Sequence, residues 1–309
     1  MTKVERFAFG ILAIITVLAF IFWKDVTGIN NKAGLAAVKA VKSDGKENNK
    51  KDKKETIKAT DPKITITKKW ELPSSLKEIS GIAYMEDNRF ACIQDEEGKI
   101  FVFNTETGKI ENEIQFGDAG DYEGIAVVNK TAYVLRADGQ LFEVDNFAAQ
   151  KPSLVQHKTH LTAKQNVEGL CYDKKNNRLL LAIKGKEFNT SDYKGIYAFD
   201  LSTKKLGVTP VLKIDLTHNI WKDVKGKNKI QPSDLEMHPH TGDIYIVDGP
   251  DPKLLVMGAD GAKKEIYQLS DSDFPQPEGI SFTEAGELFI SNEGKNGLGN
   301  ILKILIGKE

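Results

Sequence analysis

The sequence predicts an all-β fold, a five-bladed β-propeller closed by its N-terminal strand, which follows one transmembrane helix and a disordered tether. Three observations predict it: a motif recurs five times in residues 63–309, short β-rich runs follow each copy, and this part of the chain shows no helical periodicity. We therefore divide the chain into a signal-anchor at 1–24, a flexible charged linker at 25–62 and a propeller domain at 63–309.

The first element is an apolar segment from Phe7 to Trp23, seventeen residues without a charge, which Lys3 and Arg6 precede. At about 1.5 Å per residue it is just long enough for a hydrocarbon core of about 30 Å. Small residues typical of a cleavage site do not follow directly, so we expect an uncleaved, single-pass anchor rather than a cleaved signal peptide. The short basic tail ahead of it is typical of export, so we expect a periplasmic or extracellular propeller on the cell membrane, although Lys and Arg counts alone leave the orientation open.

The second element is a polar linker containing SDGKENNKKDKKETIK, which lacks the apolar side chains needed to fold. Charge divides unevenly along the chain: the whole has 43 basic and 44 acidic residues, whereas residues 63–309 carry a net charge of −6. An acidic body argues against nucleic-acid binding. We expect a monomeric body whose lipid partner is the bilayer around the N-terminal helix.

The propeller prediction depends on the repeat. Successive copies are offset by 43, 45, 65 and 45 residues. Polar insertions around Gly185–Lys194 and Asn219–Lys229 account for the long third interval, and the alternative is a sixth blade within it. The copies begin at Ser80, Glu123, Glu168, Ser233 and Glu278.

Each copy is followed by two further β-rich runs, for example FACIQ and KIFVFN in the first unit. The last unit ends after its third predicted strand, while KITITKKWEL at 63–72 precedes the first unit. That N-terminal run would supply the missing fourth strand and remove the exposed edges of an open array.

Acidic residues recur at the motif, where the first strand of each blade would begin and line the central channel. Only three of them occupy equivalent positions, and ionised carboxylates around one axis repel each other unless they are protonated, paired or bound to a cation. Calcium, which prefers carboxylate oxygens, is the expected cofactor. Internal lysines or Arg136 are one alternative, and carboxylates that bind the backbone of the neighbouring blade are another. The candidate metal ligands are Glu78, Glu123, Glu168, Asp234 and Glu278.

Further polar residues follow the second strand of each unit, at the same end of the predicted channel. We expect them to bind a small-molecule or protein ligand at an acidic channel mouth. The sequence contains no zinc-binding, nucleotide-binding or nucleophile-elbow motif, so it identifies no catalytic residue. The candidate ligand-binding residues are Asp95, Arg136, Lys184, Asp248, Asn292 and Glu293.

The motifs EISGIAY at 78–84, PSDLEMHPHTGDIYIVD at 232–248 and PEGISFTEAGELFISNEG at 277–294 resemble the SdiA-regulated (YjiK-like) family of bacterial β-propellers. The resemblance implies a membrane-anchored, exported propeller and no established catalytic residues. The chain departs from the family pattern where a glycine separates Lys184 from Lys186-Glu187 and at Asp248-Gly249. More distantly, it is similar to calcium-bearing propeller hydrolases such as lactonases and phytases.

These observations leave three functional hypotheses. The first is a membrane-anchored binding protein with calcium at the channel mouth. The second is a calcium-dependent hydrolase of a phosphate ester or lactone, in which Glu123 or Glu168 activates water. The third is a structural envelope protein, because the fold alone is compatible with all of them.

Overall fold

A computed structural model describes residues 61–149, 151–222, 224 and 229–307. The predicted transmembrane segment and nearly all of the tether lie outside these residues. Within the described ranges, no helix combines the length and the apolar character that a membrane crossing requires.

Short antiparallel strands make up nearly all the regular structure, with three 3-10 turns at Ser74–Leu76, Lys174–Asn176 and Asn219–Trp221. The strands, in chain order, are β1 (Ile64–Glu71), β2 (Ile79–Tyr84), β3 (Arg89–Gln94), β4 (Lys99–Asn104), β5 (Lys109–Gln115), β6 (Tyr122–Val128), β7 (Thr131–Arg136), β8 (Leu141–Asp145), β9 (Ser153–His157), β10 (Val167–Asp173), β11 (Arg178–Ile183), β12 (Tyr193–Asp200), β13 (Lys205–Leu206), β14 (Leu212–Asp215), β15 (Pro232–Met237), β16 (Ile244–Asp248), β17 (Lys253–Met257), β18 (Lys263–Gln268), β19 (Pro277–Phe282), β20 (Leu288–Asn292) and β21 (Asn300–Ile306).

The strands form five separate sheets, which confirms the predicted five-bladed propeller. Three blades are simple four-stranded meanders, β2 to β5, β6 to β9 and β15 to β18. In the last blade β1 pairs antiparallel with β21, from Ile64 opposite Ile306 to Glu71 opposite Asn300. The first strand of the body therefore hydrogen-bonds to its last strand.

The third blade explains the long interval between repeats. Its outer strand is split into β13 and β14, which both pair with β12. The inserted residues thus extend one blade and add no sixth blade to the described chain.

The inner strands, such as β3, β4 and β11, are buried along nearly their whole length because both faces of a blade pack on its neighbours. Between the first two blades, for example, Ile93, Val134 and Phe142 belong to one buried cluster. Removing one such side chain from water stabilises the fold by about 1.5–3 kcal/mol. The repeating clusters hold the blades in a ring.

The first strand of every blade contains a bulge at the same place. The pairing register skips one residue at Ser80, Glu123, Glu168, Ser233 and Glu278. A bulged residue is left out of the ladder of paired residues, so its side chain does not follow the regular up-and-down alternation of the strand. The residue after each bulge is glycine in four blades and Asp234 in the fourth.

The glycines permit the first strands to approach each other closely around the axis. A Cβ atom at Gly169 would lie 2.6 Å from a methyl carbon of Leu235, and one at Gly124 would lie 2.6 Å from the Glu168 carbonyl oxygen. Real Cβ atoms do not approach other atoms so closely. Larger residues at these positions would force the blades apart.

Asp234 occupies the glycine position of the fourth blade and hydrogen-bonds to three blades at once. Its carboxylate accepts the backbone N–H groups of Leu170 at 3.1 Å, Leu235 at 2.8 Å and Ile280 at 2.9 Å. The residue is 1% exposed. Burial raises the pKa of Asp234, and the three N–H donors oppose that rise by stabilising the carboxylate.

Replacing Asp234 by alanine should leave three buried N–H groups without an acceptor. Each orphaned donor costs about 1–3 kcal/mol, so Asp234→Ala should lower the free energy of unfolding by about 3 kcal/mol or more. Urea unfolding of the full-length chain measures this, with the exposed Asp271→Ala as control. Equal stability of the two variants would show that Asp234 does not fasten the blades.

Candidate functional site

The bulges place Glu123, Glu168 and Glu278 at one end of the central channel. Together with Glu78 from the start of the first blade, they line a cavity of about 130 Å³. Three further predicted residues, Asp95, Lys184 and Glu293, follow second strands and line the same cavity. The cavity therefore combines six carboxylates with one lysine.

Lys184 neutralises part of the negative charge on one side of this cavity. Its ammonium lies 2.5 Å from Glu168 Oε2 and 4.0 Å from Glu278 Oε2. Asn166 donates a second hydrogen bond, of 2.6 Å, to Glu168 Oε1. Because these groups are largely shielded from water, the pair is stronger than one on the surface.

The backbone that carries Lys184 is itself held in place. The Lys184 N–H donates to the Asn166 carbonyl at 2.9 Å. The ammonium of Lys194 donates to the carbonyl oxygens of Lys184, at 2.5 Å, and of Gly185. These bonds fix the position of the cavity's one lysine.

Crowding shifts the titration of the carboxyl groups near Lys184. Burial and the charge of Glu168 raise the pKa of Glu123 to about 10. Burial also raises the pKa of Glu168 to about 7, although Lys184 opposes the rise. Glu123, whose pKa lies well above 7, therefore keeps its proton at neutral pH.

The other side of the cavity has no matching lysine. Glu78, Asp95 and Glu293 form no ion pair with any residue that the structure describes, and Asp95 Oδ1 is buried without a hydrogen-bond partner there. Gln276 donates a hydrogen bond to Glu293 Oε2. Burial and the charges of Glu78 and Glu293 raise the pKa of Asp95 to about 6. Negative charge is therefore concentrated on this side.

Four predicted site residues lie outside the cavity lining. Asp234 binds backbone groups deeper in the channel, as described above. Asp248 pairs with Lys253 at 2.7 Å, and both side chains are completely buried. Arg136 binds Asp138 at 2.8 Å. Asn292 is buried and donates to Asn300 at 3.0 Å.

The sequence prediction omitted Ser80, Gln276 and Asn166. Ser80 lines the cavity from the bulge position that glutamate occupies in three other blades, and its hydroxyl donates to the Tyr122 carbonyl at 2.7 Å. The repeat alignment contained this signal. It also places Asn166 and Gln276 two residues before the bulge, where Glu78 stands in the first blade and where every blade has a polar residue.

The cavity does not present a ready set of metal ligands. Among the described residues, no group of three or more His, Cys, Asp or Glu side chains is arranged to hold one ion. The ammonium of Lys184 occupies the position between Glu168 and Glu278 that a cation would take. The internal lysine that the sequence offered as an alternative is thus present.

Fold and cavity together define a five-bladed β-propeller with an acidic cavity at one end of its central channel. A family model described as SdiA-regulated matches residues 54–296, so the chain belongs to the SdiA-regulated family. This confirms the resemblance carried by the repeat motifs. No curated protein matches the chain in sequence.

Three solved structures are similar to this chain. Glutaminyl cyclase from Myxococcus xanthus is 15% identical, with 78% of this chain and 95% of that chain covered and a TM-score of 0.53. A gluconolactonase from Xanthomonas campestris is 11% identical, covering 76% of this chain and 77% of that chain, with a TM-score of 0.48. A streptogramin B lyase is 12% identical, covering 78% and 97%, with a TM-score of 0.46. At 15% identity the likeness to the glutaminyl cyclase concerns the fold alone.

The raised pKa values predict a pH-dependent stability. A folded-state pKa above the ordinary 4.5 of Glu or 3.8 of Asp means that the folded chain binds protons more tightly than the unfolded chain. This stabilisation is complete below the ordinary values and is lost as pH rises through the folded ones. The Tm of the wild type should therefore fall between pH 5 and pH 8. Glu123→Gln should reduce this fall over the whole range. Asp95→Asn should reduce it mainly below about pH 6.

Thermal melting of the full-length chain at closely spaced pH values measures this effect. Glu86→Gln, on an exposed turn, is the matched control and should leave the pH profile unchanged. Parallel profiles for the wild type and both cavity variants would mean that these carboxyl groups keep ordinary titration behaviour.

Proposed function

We propose that this protein is a binding propeller whose acidic channel mouth takes up a positively charged ligand. The single observation that carries the proposal is the cavity itself, in which six carboxylates face one lysine. Perturbed carboxyl groups in a concave site are characteristic of functional sites. The ligand's charge would complement the side formed by Glu78, Asp95 and Glu293.

Size and protonation restrict the ligand further. A cavity of about 130 Å³ accepts a metal ion or a small cationic group, such as a primary ammonium on a larger molecule or a protein. Protons held by Glu123 and Asp95 compete with such a cation. Binding should therefore strengthen as pH rises and release protons.

Calcium is the metal ion within this proposal, because its usual ligands are carboxylate oxygens. Glu78, Asp95 and Glu293 are the carboxylates left to hold it once Lys184 is paired. The described side chains are not gathered around one point, so the arrangement in hand does not fit a bound ion. An organic ammonium group, whose N–H donors spread over several acceptors, fits the dispersed carboxylates better.

Melting the full-length chain with calcium chloride, methylammonium chloride or tetramethylammonium chloride at equal ionic strength tests the proposal. We expect methylammonium to raise Tm, more at pH 8 than at pH 5, and tetramethylammonium, which lacks N–H donors, to have little effect. A comparable calcium effect that a chelator reverses would identify the ion instead.

Substitutions locate the effect within the cavity. Asp95→Asn and Glu293→Gln should weaken binding about tenfold or more, which corresponds to about 1.4 kcal/mol. The distant Asp271→Asn should bind like the wild type. If calcium, its chelator and methylammonium all leave the wild-type Tm unchanged, the channel mouth is not a cation site.

A hydrolase is the second candidate, favoured by the different pKa values of Glu123 and Glu168. A protonated Glu123 beside a Glu168 that titrates near neutral pH provides an acid and a base in one cavity. Assays of the full-length chain with phosphate esters, carboxylic esters and lactones test it. Glu168→Gln should abolish turnover, and activity that survives in this variant would exclude the mechanism.

The location of the propeller is a further part of the proposal: anchored in the cell membrane by residues 1–24, exported and monomeric. It is supported by the uncharged run from Phe7 to Trp23. The full-length chain should sediment with membranes and be digested by protease added to intact cells or spheroplasts. Removal of residues 1–24 should abolish membrane association, and protection from protease in spheroplasts would contradict export.

A further inference from the structure

A second cavity, of about 280 Å³, lies between the first and the last blade. It is formed near the end of β2 at Tyr84 and the start of β20 at Leu288, which are the strand ends opposite the channel mouth. The two cavities share no lining residue. A ligand bound here would therefore not contact the residues that line the acidic cavity.

Aromatic rings form one wall of this second cavity. The rings of Tyr84 and Phe289 are nearly parallel, at 14°, with centroids 6.4 Å apart, and Trp70 lies 6.0 Å from Phe289. The indole N–H of Trp70 donates to the Thr105 carbonyl at 2.7 Å, which fixes the ring and joins β1 to the first blade. Phe90 packs edge-on against Phe289 behind them. The wall is therefore rigid before any ligand arrives.

The remaining lining is polar and its charges balance. Lys68 and Lys303 face Glu106 and Glu287 around the opening. Lys303 pairs with Glu287 at 2.5 Å, and the Lys68 ammonium lies 4.6 Å from the centroid of the Trp70 ring. Asn88 adds an exposed amide. The opening thus offers many donors and acceptors without a net charge.

We infer that this cavity binds one residue of an uncharged saccharide. A sugar ring presents an apolar C–H face, which packs on aromatic rings, and an edge of hydroxyl groups that both donate and accept hydrogen bonds. The aromatic wall matches the first of these features, and the charge-balanced polar opening matches the second. The cavity volume of about 280 Å³ lies just below the range of about 300–1,000 Å³ that is typical of drug-sized ligands. It therefore suits a single sugar residue rather than a longer saccharide.

The lining argues against other ligand classes. A purely apolar ligand would remove the four charged groups from water. It would offer no hydrogen bonds in place of those to water, which is costly. A charged ligand would meet one pair of like charges at the opening. An uncharged polyol avoids both costs. The exposed Lys68 side chain can move aside to admit it.

Titrating the full-length chain with sugars tests the inference. The probes are glucose, galactose, mannose and N-acetylglucosamine, with glucosamine, glucuronate and benzoate as charged or aromatic comparators. Isothermal calorimetry and intrinsic fluorescence report binding, since Trp70 is one of three tryptophans. The detergent must carry no sugar headgroup. At least one neutral sugar should bind, at least tenfold more tightly than the comparators.

Three variants assign the binding to this cavity. Trp70→Ala should abolish it and the associated fluorescence change, whereas Glu106→Gln and Asn88→Ala, at exposed positions, should weaken it without loss of folding. Asp95→Asn, in the acidic cavity, should leave sugar binding unchanged. Binding of no neutral sugar, binding only of benzoate or the charged sugars, or full binding by Glu106→Gln and Asn88→Ala together would overturn the inference.

Discussion

The close approach of five first strands around one axis is the constraint on which the rest of the structure depends. A Cβ atom at Gly81 would lie 3.3 Å from Gly124 Cα, and one at Gly279 would lie 3.0 Å from the Ile82 nitrogen. Glycine satisfies this constraint in four blades, and Asp234 satisfies it in the fourth by hydrogen-bonding to the strands it meets. In four blades the bulge directly before this residue projects a side chain into the channel mouth, whereas the Ser233 hydroxyl in the fourth blade accepts the Gly249 N–H. The packing of the axis and the content of the cavity are thus consequences of the same two adjacent positions.

This arrangement has an electrostatic cost. The backbone geometry of the bulges brings Glu123, Glu168 and Glu278 close to each other. Repulsion between the three side chains cannot move the backbone apart, so the repulsion persists whenever they are ionised. Two kinds of positive charge offset it: the Lys184 ammonium, held by Lys194 through the backbone, and protons bound by groups whose pKa is raised. A ligand cation would be a third.

Much of the fold was predictable because the repeat records the packing at the axis. The same repeat predicted that Glu123, Glu168 and Glu278 lie close together, since all three occupy the bulge position of their blades. Residues after the second strands were less predictable, because the loops that follow differ in length and direction. Asp248 turns inward to pair with Lys253, five residues later, and Arg136 pairs with Asp138, whereas Lys184 reaches the cavity. Such local pairings depend on turn geometry that recurring motifs do not encode.

The blades contribute unequally, and this bears on how a ligand would bind. The fourth blade supplies none of the residues that line the acidic cavity. The Ser233 hydroxyl at its bulge accepts the Gly249 N–H, and its carboxylates at 234 and 248 are satisfied within the protein. Lys184 compensates the side contributed by the third blade, while Glu78, Asp95 and Glu293 gather where the first and last blades meet. An ion centred on the axis would draw on all blades alike. Under the proposed function, this asymmetry would attract the cationic group of a larger ligand to the side formed by Glu78, Asp95 and Glu293.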